Sequence, residues 1–197
     1  SFKLRGAYWR LSVLEAASRA KGVVAYSSGN FAQGLAAAGR DLGVPVTIVM
    51  PEDAPEVKRR ATEGLGARVV LSHHGDRPRE EVASDLARQL AADEGLTLLH
   101  PFDDPEIVAG QAGAALEALE QMGGVLPDVV LCPVGGGGLM GGVALALRAA
   151  APAVRLIAVE PEGYDGMGES LRRGERVRVA GGATICDALQ ATSPGEA

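Results

Sequence analysis

The strongest constraint on the fold is a rhythm. Short apolar runs alternate along the whole chain with stretches of helical length. Val23–Tyr26, Val46–Met50, Arg68–Leu71, Leu96–Leu99, Val129–Val134 and Arg155–Val159 have the length and composition of strands. Ala7–Lys21, Phe31–Leu42, Pro55–Gly64, Arg79–Glu94, Pro105–Gln121 and Leu139–Ala151 fit helices, with a short one over Gly168–Arg173. Gly43 with Pro45, and Gly95, supply helix stops. Strands joined by such helices build mostly parallel sheets through right-handed crossovers. Apolar strands without alternation predict helices on both faces of those sheets. The fold class is therefore α/β, with open, mostly parallel sheets flanked by helices.

Composition narrows the function classes. A content of 47% hydrophobic residues over 197 residues argues against disorder and suffices for one good core or two small lobes. Aromatics are only 4% and the net charge is −6, with no basic cluster, so no nucleic-acid partner is expected. Val129–Leu147 carries no charge, yet Pro133 and its glycines make it a strand followed by a helix, not a membrane span. Cys132 and Cys186 both lie in apolar contexts and form no disulfide framework, which suits a reducing compartment. No secretory leader is visible, so a cytoplasmic setting is expected; the chain starts Ser1-Phe2-Lys3, without methionine. The polar stretch His73–Glu81 is the expected exposed loop.

Three segments carry chemistry. Gly135-Gly136-Gly137-Gly138 follows one apolar strand and opens a small-residue helix. That arrangement aims unpaired backbone N–H groups at an anion such as phosphate. The spacing is neither a dinucleotide fingerprint nor a Walker loop, and a flexible turn is the plain alternative. Ser27-Ser28-Gly29-Asn30 sits at the end of another strand, where α/β sheets place ligands; it could grip a carboxylate or simply cap a helix. Lys3, beside Phe2 and Leu4, becomes a usable nucleophile if desolvated, although lysines are usually solvated.

In order, S-F-K-L-R-G-A, S-S-G-N-F-A-Q-G and P-V-G-G-G-G-L-M resemble the fold-type II pyridoxal-phosphate enzymes, in particular the serine/threonine dehydratase and serine racemase group. His100-Pro101-Phe102-Asp103-Asp104, Ala109-Gly110-Gln111, Val159-Glu160-Pro161-Glu162 and Thr184–Leu189 look like the same group. The resemblance implies a tryptophan synthase β-like architecture and pyridoxal 5'-phosphate as cofactor. It makes Lys3 the Schiff-base lysine, Phe2 a neighbour of the ring, and Asn30 the partner of the ring hydroxyl. Gly135, Gly136, Gly137, Gly138 and Leu139 become the phosphate cradle. Ser27, Ser28, Gly29, Asn30 and Phe31 become the substrate side, with Ser28 a proton donor and acceptor opposite Lys3.

The implied reaction is deamination of L-threonine or L-serine to a 2-keto acid and ammonia. A serine racemase and a 3-hydroxyaspartate dehydratase stand as alternatives, and an inactive relative that only binds a phosphate ligand or partner stands as a third. The implied partners are a small amino-acid substrate and, at full length, further copies of the same chain; no membrane is involved. The implied domains are 22–99 as a small domain, with 1–21 and 100–197 as parts of a large one.

Four departures from the family pattern stand out. Phe31 occupies a position where many relatives have His, which removes a polar contact near the substrate. Gln111-Ala112-Gly113 replaces the more usual Gln-Gly-Thr. The positions of a divalent-metal site fall on Glu160, Tyr164 and Gly166; Gly166 cannot ligate, Asp165 is the nearest substitute, and Glu160 is read as a strand-end acid without metal. Relatives also extend before the lysine and beyond Ala197, so this is a partial chain, without the group expected at the ring nitrogen. His73 and His74 lack further ligands at metal spacing. His100 is read as structural, and Arg79 as a solvated helix start.

Overall fold

A computed structural model describes residues 1–197. It divides into two compact units, Ser1–Pro101 and Phe102–Ala197.

The first unit contains α1 (Lys3–Ser12), α2 (Ala16–Lys21), β1 (Val23–Tyr26), α3 (Asn30–Leu42), β2 (Val46–Pro51), α4 (Glu56–Gly64), β3 (Arg68–Ser72), α5 (Arg79–Glu94) and β4 (Thr97–Leu98). Its four strands form one parallel sheet in the order β3-β2-β1-β4. Side chains alternate between the two faces of a strand. Val24 and Val49 lie on one face, packed with Ala83 and Ala87 of α5. Val23, Ala25, Ile48 and Met50 point the other way and are fully buried as well. On that face α3 closes on β2: a Cβ at Gly39 would strike the Val46 side chain. Helices therefore cover both faces, as the apolar strands predict.

The expected helix over Ala7–Lys21 is two helices. Helix α1 starts four residues earlier, at Lys3, and stops at Ser12, whose hydroxyl donates to the Trp9 carbonyl at 2.7 Å. Helix α2 restarts after the extended Glu15. Helix α1 packs on α3 because Gly34 leaves room: a Cβ there would lie 2.9 Å from the Leu4 nitrogen. Residues 1–21 are therefore compact with the first unit. Strand β4 has only two residues, because pairing with β1 covers only Thr97 and Leu98.

The second unit contains α6 (Pro105–Gln121), β5 (Val129–Pro133), α7 (Gly138–Ala150), β6 (Arg155–Val159) and α8 (Gly166–Arg173). Asp104 caps α6 by accepting from the Glu106 and Ile107 amides at 2.9 and 3.3 Å, with Pro105 in the first turn. Helices α6 and α7 meet backbone to backbone at Gly142, where a Cβ would lie 2.7 Å from the Val108 carbonyl oxygen. Strands β5 and β6 pair in parallel. Cys132 packs with Val143, Leu147, Ala151 and Val154, with Val130 and Leu156 alongside.

On the face of β5 opposite Cys132, Leu131 is 66% exposed. Both cysteines are free thiols; Cys132 is buried and Cys186 is exposed. No helix is long and apolar enough to cross a membrane.

Candidate active site

Lys3 is the first residue of α1, not a residue ahead of it. The Arg5 amide donates to the Phe2 carbonyl at 3.0 Å, which winds the chain into the helix as it passes Lys3. The Lys3 ammonium donates to the Pro101 carbonyl at 2.6 Å. Its Nζ lies 5.5 Å from the Phe2 ring centroid and 5.7 Å from that of Phe31. Burial pushes its pKa down from 10.5 to about 8. At pH 7 about a tenth of such an amine is neutral, far more than for an ordinary lysine, and that fraction can act as a nucleophile and a base. Phe2 and Phe31 therefore flank the amine. Phe31 is buried at 2% exposure, so its ring helps exclude water from the amine.

Ser27–Asn30 forms the turn from β1 into α3. The Ser27 amide donates to the Val49 carbonyl at 3.1 Å, continuing the sheet for one more residue. Its hydroxyl accepts from the Gly29 amide at 3.3 Å. No side chain caps α3, so the helix-capping alternative is not realised and the first-turn amides remain available to an anion. Space above the turn is open: a Cβ at Gly29 would meet nothing within 4 Å. Asn30, the first residue of α3, is exposed.

Gly135–Gly138 leads from β5 into α7. Gly137 adopts φ +95°, a conformation that favours glycine, and stands at the N-cap without any side-chain cap. Gly138 and Leu139 open the helix. Phe102 lies against this loop: a Cβ at Gly136 would run into its ring, and one at Gly138 would come within 3.0 Å of its Cβ. The Gly136 carbonyl accepts from the Gly195 amide at 3.1 Å. The loop is thus held from below by an aromatic ring and tied at one carbonyl, while the amides at the start of α7 lack intrahelical partners.

Glu160 reaches the N-terminal turn of α8. Its two carboxylate oxygens accept from the Met167 and Gly168 amides, each at 2.8 Å, at the start of α8. Asp165 pairs with Arg172 at 3.5 Å. His73 pairs with Glu52 at 2.6 Å, and Arg79 with Asp53 at 2.9 Å, both at the surface. Gln111 is buried in α6, and neither its carboxamide nitrogen nor its oxygen has a protein partner.

Three contributors escaped the reading of the sequence: the Pro101 carbonyl, Gly34 and Phe102. Each lies inside a motif quoted for its likeness. What the motif letters do not state is that a backbone oxygen, a missing Cβ and a packed ring hold the amine and the loop.

The whole chain, residues 1–197, matches the family described as pyridoxal-phosphate dependent enzyme. The chain belongs to that family.

Among curated relatives, it is 44% identical over 197 residues to an L-threo-3-hydroxyaspartate ammonia-lyase of Saccharomyces cerevisiae, covering 100% of this chain and 58% of that protein. It is 42% identical over 196 residues to an L-threonine ammonia-lyase of Thermotoga maritima, covering 100% of this chain and 47% of the relative. Among solved structures, threonine deaminase isoform 2 of Solanum lycopersicum superposes with TM-score 0.90 at 40% identity, over 100% of this chain and 55% of that one. Maize serine racemase superposes with TM-score 0.91 at 34% identity, over 100% and 57%. The chain thus spans about half the length of the curated relatives it matches.

The family's cofactor is pyridoxal phosphate, and the residues present fit it. A desolvated amine suits its aldehyde. A glycine loop at an uncapped helix start suits its phosphate.

Proposed function

We propose that the chain belongs to an ammonia-lyase that converts L-threonine or L-serine to a 2-keto acid and ammonia. The observation that carries this reading is the Lys3 amine, held by one carbonyl, flanked by two aromatic rings and lowered to about pKa 8. When bound, pyridoxal phosphate supplies an electron sink for a carbanion at the substrate's α-carbon. In this reading Lys3 Nζ removes the α-proton. Ser27, Ser28 and Gly29 bind the carboxylate through turn amides and hydroxyls. Asn30 meets the ring hydroxyl beside Phe2. Gly135 to Gly138 and Leu139 hold the phosphate with backbone N–H groups. The β-hydroxyl departs as water, and one water returns to release ammonia, so no oxidant or reductant is required.

The hydroxyaspartate alternative is favoured by the 44% identical relative, and a racemase by the Ser28 hydroxyl as a second proton carrier. For the full-length protein we keep residues 22–99 as a small domain, with 1–21 and 100–197 in a large one. A homo-oligomer in the cytoplasm, without nucleic acid or membrane partners, completes the proposal. Glu160 serves α8 and not a divalent metal, so a chelator leaves the rate unchanged.

The test supplies the purified protein with pyridoxal phosphate and, in turn, L-threonine, L-serine and L-threo-3-hydroxyaspartate. Keto-acid release ranks the three substrates, and a chiral assay reads D-serine. Release from threonine or serine supports the lyase. Release from hydroxyaspartate alone, or D-serine without keto acid, moves the function to the corresponding alternative. No product from any substrate leaves only the binding protein.

A further inference from the structure

Strand β4 pairs with β1 over only two residues, yet the chain continues in register beyond it. The Leu99 amide donates to the Val24 carbonyl at 2.9 Å. One residue further, His100 Nε2 and the Tyr26 hydroxyl lie 3.0 Å apart, with the rings edge to face at 5.8 Å and 77°. The next residue is Pro101, whose carbonyl is the acceptor for Lys3 Nζ at 2.6 Å. On the other side, Tyr26 directly precedes Ser27–Asn30. A single side-chain contact therefore links the end of β1, where that turn begins, to the peptide that holds the amine.

We propose that Tyr26 and His100 are positioning residues for the Lys3 amine: their contact prolongs the β1–β4 alignment and fixes where the Pro101 carbonyl stands. Proline restricts the residue before it to extended backbone. Little freedom therefore separates the His100 ring from the Pro101 carbonyl. With only two ladder residues in β4, the strand alone is too short to hold that peptide against fraying. The T-shaped ring contact gives direction, and the hydrogen bond gives register. The result is that Lys3 and the Ser27–Asn30 turn keep a common alignment. The inference deepens the reading of Lys3 as the reactive amine and rests on it for its consequence.

The chain has three lysines, Lys3, Lys21 and Lys58, which makes the test direct. Lysine side chains are labelled with ¹⁵N in the full chain without cofactor, and exchange of each Nζ proton set with water is measured by NMR. Tyr26→Phe and His100→Leu speed Lys3 exchange about fivefold, as loss of one ordering hydrogen bond allows, while Lys21 and Lys58 do not change. His100→Gln keeps a polar nitrogen near the position of Nε2 and retains slow exchange. Equal exchange of Lys3 in all variants overturns the proposal. So does equal acceleration in His100→Gln and His100→Leu, which a merely structural histidine would produce. The dispersion of each variant's backbone amide spectrum reports whether it is folded. Because no cofactor is present, failure here leaves the cofactor reading standing, and failure of cofactor attachment leaves this result standing.

Discussion

The two units share one βα grammar and differ in how deeply their strands are buried. In the first, both faces of the β1–β2 pair are sealed, with Val24 and Val49 under α5 and Ile48 and Met50 on the opposite side. In the second, α7 covers the Cys132 face of β5, while Leu131 is 66% exposed and Val159 46%. The functional parts follow the same division. The first unit holds its lysine with a carbonyl and two rings. The second offers a loop of backbone amides over Phe102. Side-chain chemistry needs a buried, finished environment to shift a pKa; backbone amides at a helix start do not. The difference shows why a motif's letters and its working environment are separate achievements of the sequence.

Substitutions in the two units separate their contributions. The largest effect is expected at the sealed sheet: Ile48→Ala leaves a cavity and costs about 2–5 kcal/mol, read as a shift in denaturant midpoint. A cost near that of a surface change would mean the first unit is not tightly packed. Next is Gly136→Ala, whose added methyl meets the Phe102 ring. It costs about 1–3 kcal/mol and weakens capture of pyridoxal phosphate, and Phe102→Ala in the same chain restores part of both. Absence of rescue would show that the ring does not support the loop.

Lys3→Met tests the cost of keeping the amine buried. Its pKa is lowered from 10.5 to about 8, so between those values the folded form carries fewer protons than the unfolded chain. Stability therefore rises with pH across that window, and the charged lysine opposes folding below it. Lys3→Met raises Tm at neutral pH and flattens the rise; a lowered Tm there would contradict the desolvation argument. The smallest effect belongs to the open face: Leu131→Gln changes stability by no more than about 0.5 kcal/mol. A large loss would mean that this face is covered in solution.

Much of this was legible in the letters. Arg79–Glu94, Pro105–Gln121 and Arg155–Val159 match their elements end to end, because periodicity, Pro105 and Gly95 mark them. The break between α1 and α2 was not legible, since the apolar period of Leu11 and Leu14 runs on across a stop made by a serine hydroxyl bonding backward. At the site, Lys3, Ser27–Asn30 and Gly135–Gly138 were visible as residue types. The parts played by Pro101, Gly34 and Phe102 depend on contacts between residues far apart in sequence.

The most direct test of the central claim is reduction of the protein with borohydride in the presence of pyridoxal phosphate, followed by peptide mass mapping. Three lysines and the Ser1 amine are the candidate positions, and fragment masses separate them. The cofactor adduct is expected on Lys3, forming progressively as pH rises through about 8. An adduct on Lys21, on Lys58 or nowhere would contradict the account.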